Sequence, residues 1–246
     1  MPEPLPRRIV QALAPYVSEA RQARLRAVIE ARSRSVTLVL EEVVNDHNGA
    51  AILRTADAFG LMEVHVIPGP AGFRVSRKVA QGSQKWLDAH RHESVDVCYD
   101  DLRERGFEIW ASAVHGEARP LEQLPMDRPL ALVFGNEHDG VSPEAIAAAD
   151  GRFHVPMYGF VESLNVSVAA ALSLAEVTRA RRKGGHWTPL GEEEKEELLA
   201  RWFTQSVRAA EPLLAREGLS PLASGVGSHA RPSKDAAFEM VEDDRP

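Results

Sequence analysis

Short apolar runs alternate with amphipathic segments through the middle of the chain. Runs rich in apolar and β-branched residues predict strands at 36–40, 63–67, 107–114, 129–134 and 153–157. Apolar residues at helical spacing predict helices at 48–59, 95–105, 143–149 and 164–182. This alternation predicts an α/β fold with a mostly parallel sheet flanked by helices. A ligand site is then expected at the carboxyl ends of the strands.

The two ends of the chain have a different pattern. Residues 1–35 predict a basic amphipathic helical arm, and residues 192–208 predict a charged helix that opens with glutamates. From about Gly218 onward, glycine, serine, proline and charged residues predominate, which predicts a poorly ordered tail. Three parts are therefore predicted: the arm at 1–35, the α/β domain at 36–188, and a C-terminal helix with a flexible tail at 189–246.

Composition narrows the class of protein. The 246 residues are 44% apolar and 26% charged, as in ordinary globular proteins. No run approaches the roughly 20 apolar residues of a membrane helix, and we expect no signal peptide because residues 1–20 lack a long apolar run. Cys98 is the single cysteine, which excludes an intrachain disulfide and a zinc site built from several thiolates. A reducing cytoplasm is the expected compartment.

The net charge of −7 argues, taken alone, against a nucleic-acid partner. By residue count, however, residues 1–35, 74–91 and 176–188 carry local charges of +4, +4 and +3, so the rest of the chain carries −18. Clustered arginines can bind a polyanion even in an acidic protein. Solvated helix faces are the equally ordinary interpretation of these clusters.

The first stretch with candidate chemistry is Asn48-Gly-Ala-Ala-Ile-Leu-Arg-Thr-Ala-Asp-Ala-Phe-Gly60. Asn48 is a candidate N-cap, and Arg54 follows it by six residues in an otherwise small and apolar helix. A guanidinium in this setting can contact a phosphate or a reacting oxygen. An ion pair between Arg54 and Asp57, one turn on, is the structural alternative.

The second stretch is Leu130-Ala-Leu-Val-Phe-Gly-Asn-Glu-His-Asp-Gly140, an apolar strand that ends in a loop with two glycines. Glycines at such a loop allow close backbone approach to a ligand, although they can also be simple turn residues beside a surface glutamate. The loop contains neither a G-x-G-x-x-G fingerprint nor a P-loop. NAD and ATP are therefore poorly supported as ligands.

The third stretch runs from His154 through Ser173 and includes Val-Pro-Met-Tyr-Gly-Phe-Val-Glu-Ser-Leu-Asn-Val-Ser-Val-Ala. Pro156 and Gly159 predict an irregular loop, after which Ser163 is expected to cap the long helix. Asn165 and Ser167 would then lie in the first turn of that helix, where free N–H groups favour a polar or anionic ligand.

In this order, the three stretches resemble the motifs of the SpoU/TrmH ribose 2′-O-methyltransferases of the SPOUT superfamily. The resemblance covers about residues 1–190, and it implies a parallel sheet whose C-terminal part is tied in a trefoil knot. It also implies homodimers with the RNA site at the subunit interface. S-adenosylmethionine would be held mainly by backbone around Ser112, Gly135, Val155, Met157 and Leu164. The implied catalytic residues are Arg54, assisted by Asn48, Glu137, Ser163 and Asn165.

Within that family the chain is most similar to the TrmH subgroup, because of its short basic arm, Gly82-Ser-Gln-Lys-Trp86, and Glu176 followed by Arg179 and Arg181. The similarity implies methylation of the 2′-hydroxyl of guanosine 18 in the D-loop of tRNA. The residues expected to bind tRNA are Arg7, Arg8, Arg24, His47, Lys85, Arg179 and Arg181.

Displacement at a sulfonium carbon needs no metal, so none is expected for the reaction. Arginine stays protonated in proteins, so we expect Arg54 to orient the ribose and stabilise the developing alkoxide. Whether Arg54 itself removes the proton of the hydroxyl stays open. His47 is the alternative base, because histidine has a more suitable pKa for accepting a proton.

Two other functions are compatible with these motifs. A ribose methyltransferase acting on ribosomal RNA is the first, although such relatives usually carry a larger N-terminal RNA-binding domain. A non-catalytic RNA-binding protein of the same fold is the second, and the intact set of polar residues argues against it. The missing phosphate loops disfavour an ordinary nucleotide-binding enzyme.

Overall fold

The computed structural model describes residues 3–70, 72–113, 116–222 and 239–242. Much of the predicted flexible tail, at 223–238 and 243–246, lies outside these ranges. The chain divides into two units. One contains the described parts of residues 1–32 and 189–232, and the other contains the described parts of residues 33–188 and 233–246.

A parallel sheet forms the centre of the larger unit. In chain order the strands are β1 (Val36–Glu41), β2 (Glu63–Ile67), β3 (Arg74–Ser76), β4 (Asp88–Arg91), β5 (Glu108–Ser112), β6 (Arg119–Pro120), β7 (Leu130–Phe134), β8 (Gly151–His154) and β9 (Glu239–Val241). Over the described residues, seven strands follow the order β4-β2-β1-β7-β5-β8-β6, and β3 pairs separately with β9. All these pairings are parallel, which confirms the predicted mostly parallel sheet.

Helices cover both faces of this sheet. In chain order the helices are α1 (Leu5–Leu13), α2 (Glu19–Glu30), α3 (Asp46–Phe59), α4 (Arg77–Ala80), α5 (Val95–Glu104), α6 (Pro143–Ala148), α7 (Val166–Gly184), α8 (Glu192–Ser206) and α9 (Ala210–Arg216). Every residue of β1, β2 and β7 is buried, as expected for parallel strands covered on both sides. Alternate residues of these strands pack with α3 and α7 on one face and with α5 and α6 on the other.

The smaller unit is helical. α1 and α2 both pack on α8, and α9 packs on α1 and α8. Its buried apolar residues include Ile9, Leu13, Leu25, Trp202 and Phe203. The N-terminal arm and the C-terminal helix, which the sequence suggests as separate segments, therefore share one core. Across the residues described, we find no helix with the length and apolar character needed to span a membrane.

Two predicted helix caps were wrong. α3 begins at Asp46, and its cap is Asn45 rather than Asn48, because Asn45 Oδ1 accepts hydrogen bonds from the backbone N–H groups of His47 and Asn48 at 2.9 and 3.3 Å. α7 begins at Val166 and is capped by Asn165 rather than Ser163. In both cases the capping amide is an Asx side chain immediately before the first helical residue.

Other boundaries differ by a few residues. The strand predicted at 153–157 is β8 at Gly151–His154, and Pro156, which has no N–H for a ladder hydrogen bond, follows soon after. The short elements β3, α4, β4 and β6 were not predicted, because segments of two to four residues are too short to show a repeat of hydrophobic positions.

Candidate active site

Loops at the carboxyl ends of neighbouring strands carry the residues that the family resemblance assigns to the methyl donor. Ser112 ends β5, Gly135 follows β7, and Val155 and Met157 follow β8. Because β7, β5 and β8 are adjacent in the sheet, these loops open on one edge. Leu164 lies just before α7, on the segment that follows β8.

Position 135 requires glycine because there is no room for a side chain, not because of its backbone dihedral angles. A Cβ atom at this position would lie 2.1 Å from Gly140 O and 2.3 Å from Val141 N. The loop after β7 therefore folds back directly against its own start. Asn136 fixes the same loop, because its Nδ2 donates to Glu42 O at 3.2 Å and its Oδ1 accepts from the His138 N–H at 2.8 Å.

Glu137 is the centre of a hydrogen-bonded cluster that joins the first two sequence motifs. Its carboxylate accepts hydrogen bonds from the backbone N–H groups of Val44 and Asn45, both at 3.1 Å. It also accepts one from Asn48 Nδ2 at 2.9 Å. The loop after β7 is thereby attached to the start of α3.

The third motif joins this cluster through Asn165. Asn165 Nδ2 donates to Asn48 Oδ1 at 3.1 Å, while Asn165 Oδ1 caps α7 by accepting from Ser167 N–H at 2.9 Å. Asn48 thus donates to Glu137 and accepts from Asn165. These three of the five predicted catalytic residues form one chain of hydrogen bonds.

The electrostatics of the cluster keep Glu137 charged. Partial burial alone would raise the pKa of Glu137, but the hydrogen bonds from Asn48, Val44 and Asn45 outweigh it and hold that pKa below its usual range. A carboxylate with spare lone pairs can accept a hydrogen bond from a substrate hydroxyl.

A cavity of about 410 Å³ opens beside this cluster. It is lined by Val44, Asn45, Asp46, Asn48, Arg74, Glu137, His138 and Asn165. Arg74 is a further functional candidate, which the three sequence motifs do not include. Its position depends on Gly49, because a Cβ there would lie 2.9 Å from Phe73 Cζ, and Phe73 packs against α3 at this point. The positive charge of residues 74–91 indicated that this segment could contact RNA, but no sequence pattern distinguished Arg74 from the other basic residues there.

Two predicted catalytic residues lie outside the lining of the cavity. Ser163 is exposed in the loop before α7. Arg54 is exposed on α3 and makes no hydrogen bond or ion pair with the described residues, so the alternative of an ion pair with Asp57 is not found. Six residues after Asn48, Arg54 projects from a different side of the helix.

The predicted RNA-binding residues have different environments. Arg8, Arg24 and Lys85 are exposed, and His47 is half-buried in the first turn of α3. Arg7 pairs with Glu196, and Arg179 pairs with Glu176 at 2.7 Å.

Arg181 does not face solvent. Its side chain is buried, with 2% of the residue exposed, and Nη1 donates to Arg128 O at 2.7 Å. RNA cannot contact it without opening the core, so we remove Arg181 from the set of candidate RNA-binding residues.

The site combines two amides, a carboxylate and a nearby guanidinium beside backbone loops at the carboxyl ends of parallel strands. Such groups can orient hydroxyl and phosphate groups of a nucleotide, and the loops can hold a second molecule by its polar edges. These features form a polar candidate site at the carboxyl ends of the strands of an α/β sheet.

The profile of the SpoU rRNA Methylase family matches residues 35–175, which contain all three motifs. The chain belongs to this family.

Individual relatives agree with that assignment. The chain is 40% identical to a tRNA (guanosine(18)-2′-O)-methyltransferase of Thermus thermophilus over 188 residues, covering 76% of this chain and 97% of that protein. It is 34% identical to the protein of the same name from Escherichia coli, covering 74% and 82%. The solved structure of the Aquifex aeolicus TrmH/SpoU tRNA modifying enzyme is 35% identical, with a TM-score of 0.70 over 77% of this chain and 98% of that one.

Proposed function

We propose that this chain transfers the methyl group of S-adenosylmethionine to the ribose 2′-hydroxyl of guanosine 18 in tRNA. The observation that carries the proposal is the hydrogen-bonded chain Glu137–Asn48–Asn165, which joins the three family motifs beside a cavity. The similarity to tRNA (guanosine(18)-2′-O)-methyltransferases, over nearly the whole of the Thermus relative, supports the choice of substrate.

The residues proposed to hold the methyl donor fit that group. Ser112, Val155, Met157 and Leu164 are half-buried, so part of each residue is open to a ligand, and Gly135 keeps the adjoining loop tightly folded. When bound, the donor supplies a methyl group on a sulfonium centre, which is electrophilic without a metal. Holding the 2′-hydroxyl in line with that carbon can supply much of the rate.

The polar cluster would orient the ribose. Glu137 can accept a hydrogen bond from a ribose hydroxyl, and the amides of Asn48 and Asn165 are already fixed by their bonds to each other. The reaction forms an O–CH₃ bond, breaks the S–CH₃ bond and releases the hydroxyl proton. Arg54 would stabilise the developing alkoxide, because a guanidinium stays protonated and cannot readily accept that proton.

We propose that the chain acts as a homodimer. Arg54 is exposed and does not line the cavity of its own chain, and large apolar side chains such as Tyr158 (97% exposed) and Phe160 (109% exposed) lie uncovered in the loop before α7. A second copy would cover apolar surface and bring further residues to the site. Family membership also supports a trefoil knot in the C-terminal part of the sheet unit and action in the cytoplasm.

Sedimentation equilibrium tests the dimer directly, and a mixing experiment tests whether its sites are shared. Arg54→Ala and Asn165→Ala proteins, each inactive alone, should recover part of the activity after they are denatured and refolded together. A monomer in solution would contradict the dimer. A dimer without recovered activity would contradict the shared site.

The exposed cations Arg8, Arg24, Lys85 and Arg74 are the proposed phosphate contacts. Because contacts to phosphates release counterions, affinity for tRNA should fall steeply with salt despite the net charge of −7. The RNA would thus contact only these clusters of positive charge, while the rest of the protein surface stays acidic.

The decisive experiment uses two transcripts of one tRNA. The first has guanosine at position 18, and the second has 2′-deoxyguanosine there, which removes the nucleophile and nothing else. Labelled methyl donor should modify only the first, and the label should lie in a linkage resistant to alkaline hydrolysis. Equal label in both transcripts would refute position 18, and label confined to ribosomal RNA would favour the ribosomal alternative. If the chain binds RNA but calorimetry detects no binding of the methyl donor, the non-catalytic alternative is correct.

A further inference from the structure

A row of buried polar side chains lies on the sheet face that α5 covers, away from the cavity described above. Glu63 and His65 alternate with apolar residues along β2, and β4 continues the row, since His65 and His90 are register partners. His92 follows β4 directly. Glu63, His65 and His92 are 1%, 0% and 8% exposed.

Three of the donor atoms in this region converge. His65 Nδ1 lies 2.9 Å from His92 Nε2. His65, His92 and Cys98 of α5 can each offer one ligand atom, and these three atoms lie within 4.8 Å of one another. Cys98 is fully buried. One turn further along α5, Asp101 Oδ2 lies 4.0 Å from His65 Nδ1 and 3.5 Å from Arg105 Nη1, so this carboxylate borders the group and pairs with Arg105.

A second layer of residues orients His65. Its Nε2 is buried without a hydrogen bond among the described residues and faces Glu63 Oε1 at 3.8 Å. Arg34 at 2.7 Å and Arg105 both pair with Glu63, which fixes this carboxylate. The rings of His90 and His92 are nearly parallel to the His65 ring, at interplanar angles of 21° and 17° and centroid distances of 4.8 and 5.1 Å. A carboxylate behind a histidine is the usual support of a metal-ligating imidazole.

We propose that this chain binds one zinc-class divalent cation through His65 Nδ1, His92 Nε2 and the Cys98 thiolate. Imidazole and thiolate donors select such a cation over magnesium or calcium. Two nitrogens on a tetrahedral zinc ion lie about 3.3 Å apart, given bonds of about 2.0–2.1 Å, which is close to the separation found here. The single thiolate suffices because histidines supply the other strong ligands.

Binding requires a defined movement of protons. The Cys98 thiol loses its proton to solvent as the metal–sulfur bond forms. Both facing nitrogens must offer a lone pair to the metal, so the proton that joins them moves to the outer nitrogen of its own ring and both imidazoles stay neutral. His65 then carries its proton on Nε2, from which it can donate a hydrogen bond to Glu63. No electron transfer is involved.

The consequence would be structural rather than catalytic. β4 is an edge strand of the seven-stranded sheet in the described part of the chain, and short edge strands are weakly held. A cation bound by β2, the residue after β4, and α5 would fasten that edge to the helix covering it. Methyl transfer would not route through this ion.

The test uses the full chain, freed of metal by a chelator and then titrated with zinc in competition with a chromophoric chelator. We expect one zinc per chain, and at least about 100-fold weaker binding in His92→Ala and Cys98→Ala. His186→Ala is the matched control, because His186 is exposed and outside the cluster, and its affinity should equal that of the unaltered chain. Cobalt loading should give a thiolate-to-metal charge-transfer band that Cys98→Ser removes.

The zinc titration of the unaltered chain can contradict the proposal by itself, even if the variants do not fold. If the unaltered chain takes up no stoichiometric zinc, or its cobalt spectrum lacks the thiolate band, the site does not exist. Uptake that is unchanged in both ligand variants would equally overturn it, and the histidines would then serve only as a buried hydrogen-bonded pair. Methylation assays are not used here, so this result is independent of the proposed tRNA substrate.

Discussion

Replacing Gly135 with alanine tests whether the tight loop after β7 positions the active site. The new Cβ would lie 2.1 Å from Gly140 O and 2.2 Å from Gly140 C, whereas real Cβ contacts essentially never fall below 3.0 Å. The backbone at 140–141 must therefore move by at least about 0.9 Å, and no flexible side chain is available to move instead. We expect a loss of about 3 kcal/mol in the free energy of unfolding, the upper part of the range for overpacking.

The same displacement should affect catalysis, because the loop carries Glu137. A shift of about 1 Å in a positioning group can cost about 100-fold in rate. Gly135→Ala should thus lower kcat by about that factor, measured with tRNA and labelled methyl donor, with stability from urea unfolding. Gly140→Ala is the matched control: it lies in the same loop at φ +74 with nothing within 4 Å of its Cβ, so it should cost only about 1 kcal/mol of strain. Equal rates and stabilities for the two variants would refute the argument from space.

Three further predictions concern the hydrogen-bonded cluster and Arg54. Asn165→Asp keeps the oxygen that caps α7 but loses the Nδ2 donor to Asn48, so the protein should keep its stability and lose activity. Asn165→Ala removes the cap as well, so it should also lose about 1 kcal/mol in the free energy of unfolding measured in urea. Equal stability of the two variants would contradict the capping role. Because the pKa of Glu137 is held below its usual value of 4.5, the stabilising effect of this carboxylate should be complete above about pH 4.5 and decline as the pH falls through the lowered pKa. In Glu137→Gln, the urea midpoint of unfolding should therefore fall less steeply at acid pH. Parallel pH profiles for the two proteins would contradict this role of Glu137. Arg54→Lys should leave methyl-donor affinity in calorimetry unchanged and reduce kcat, whereas an unchanged kcat would remove Arg54 from the mechanism.

The sequence predicted the parallel sheet and the meeting of its three motifs because both depend on local patterns. Apolar runs identified the strands, and the carboxyl ends of parallel strands necessarily share one edge. The caps were harder to predict, since several candidate residues stand close together: Asn45 competes with Asn48 and Asn165 with Ser163, and only backbone geometry selects between them.

The remaining differences have a common cause, which is contact between segments distant in sequence. Arg181 looks like its basic neighbours on α7, yet it is buried because the Arg128 carbonyl accepts its hydrogen bond. Arg74 reaches the cavity because Phe73 packs on Gly49. The polar alternation of Glu63 and His65 was visible in the strand predicted at 63–67, but its significance depends on His92 and Cys98, which the fold brings from other elements.

The two helix caps also explain why the site suits a reaction that develops negative charge. Asn45 and Asn165 both line the cavity, so the N-termini of α3 and α7 lie at its wall. The partial positive charge of each N-terminus, of roughly half a unit, favours a phosphate or an alkoxide there. Glu137 carries the opposite charge, but its hydrogen bonds to the backbone before α3 and to Asn48 already offset that charge. We therefore expect an anionic nucleotide to be tolerated next to this carboxylate. Asn45, the cap of α3, donates its backbone N–H to Glu137, and Asn165, the cap of α7, holds Asn48, which donates to Glu137.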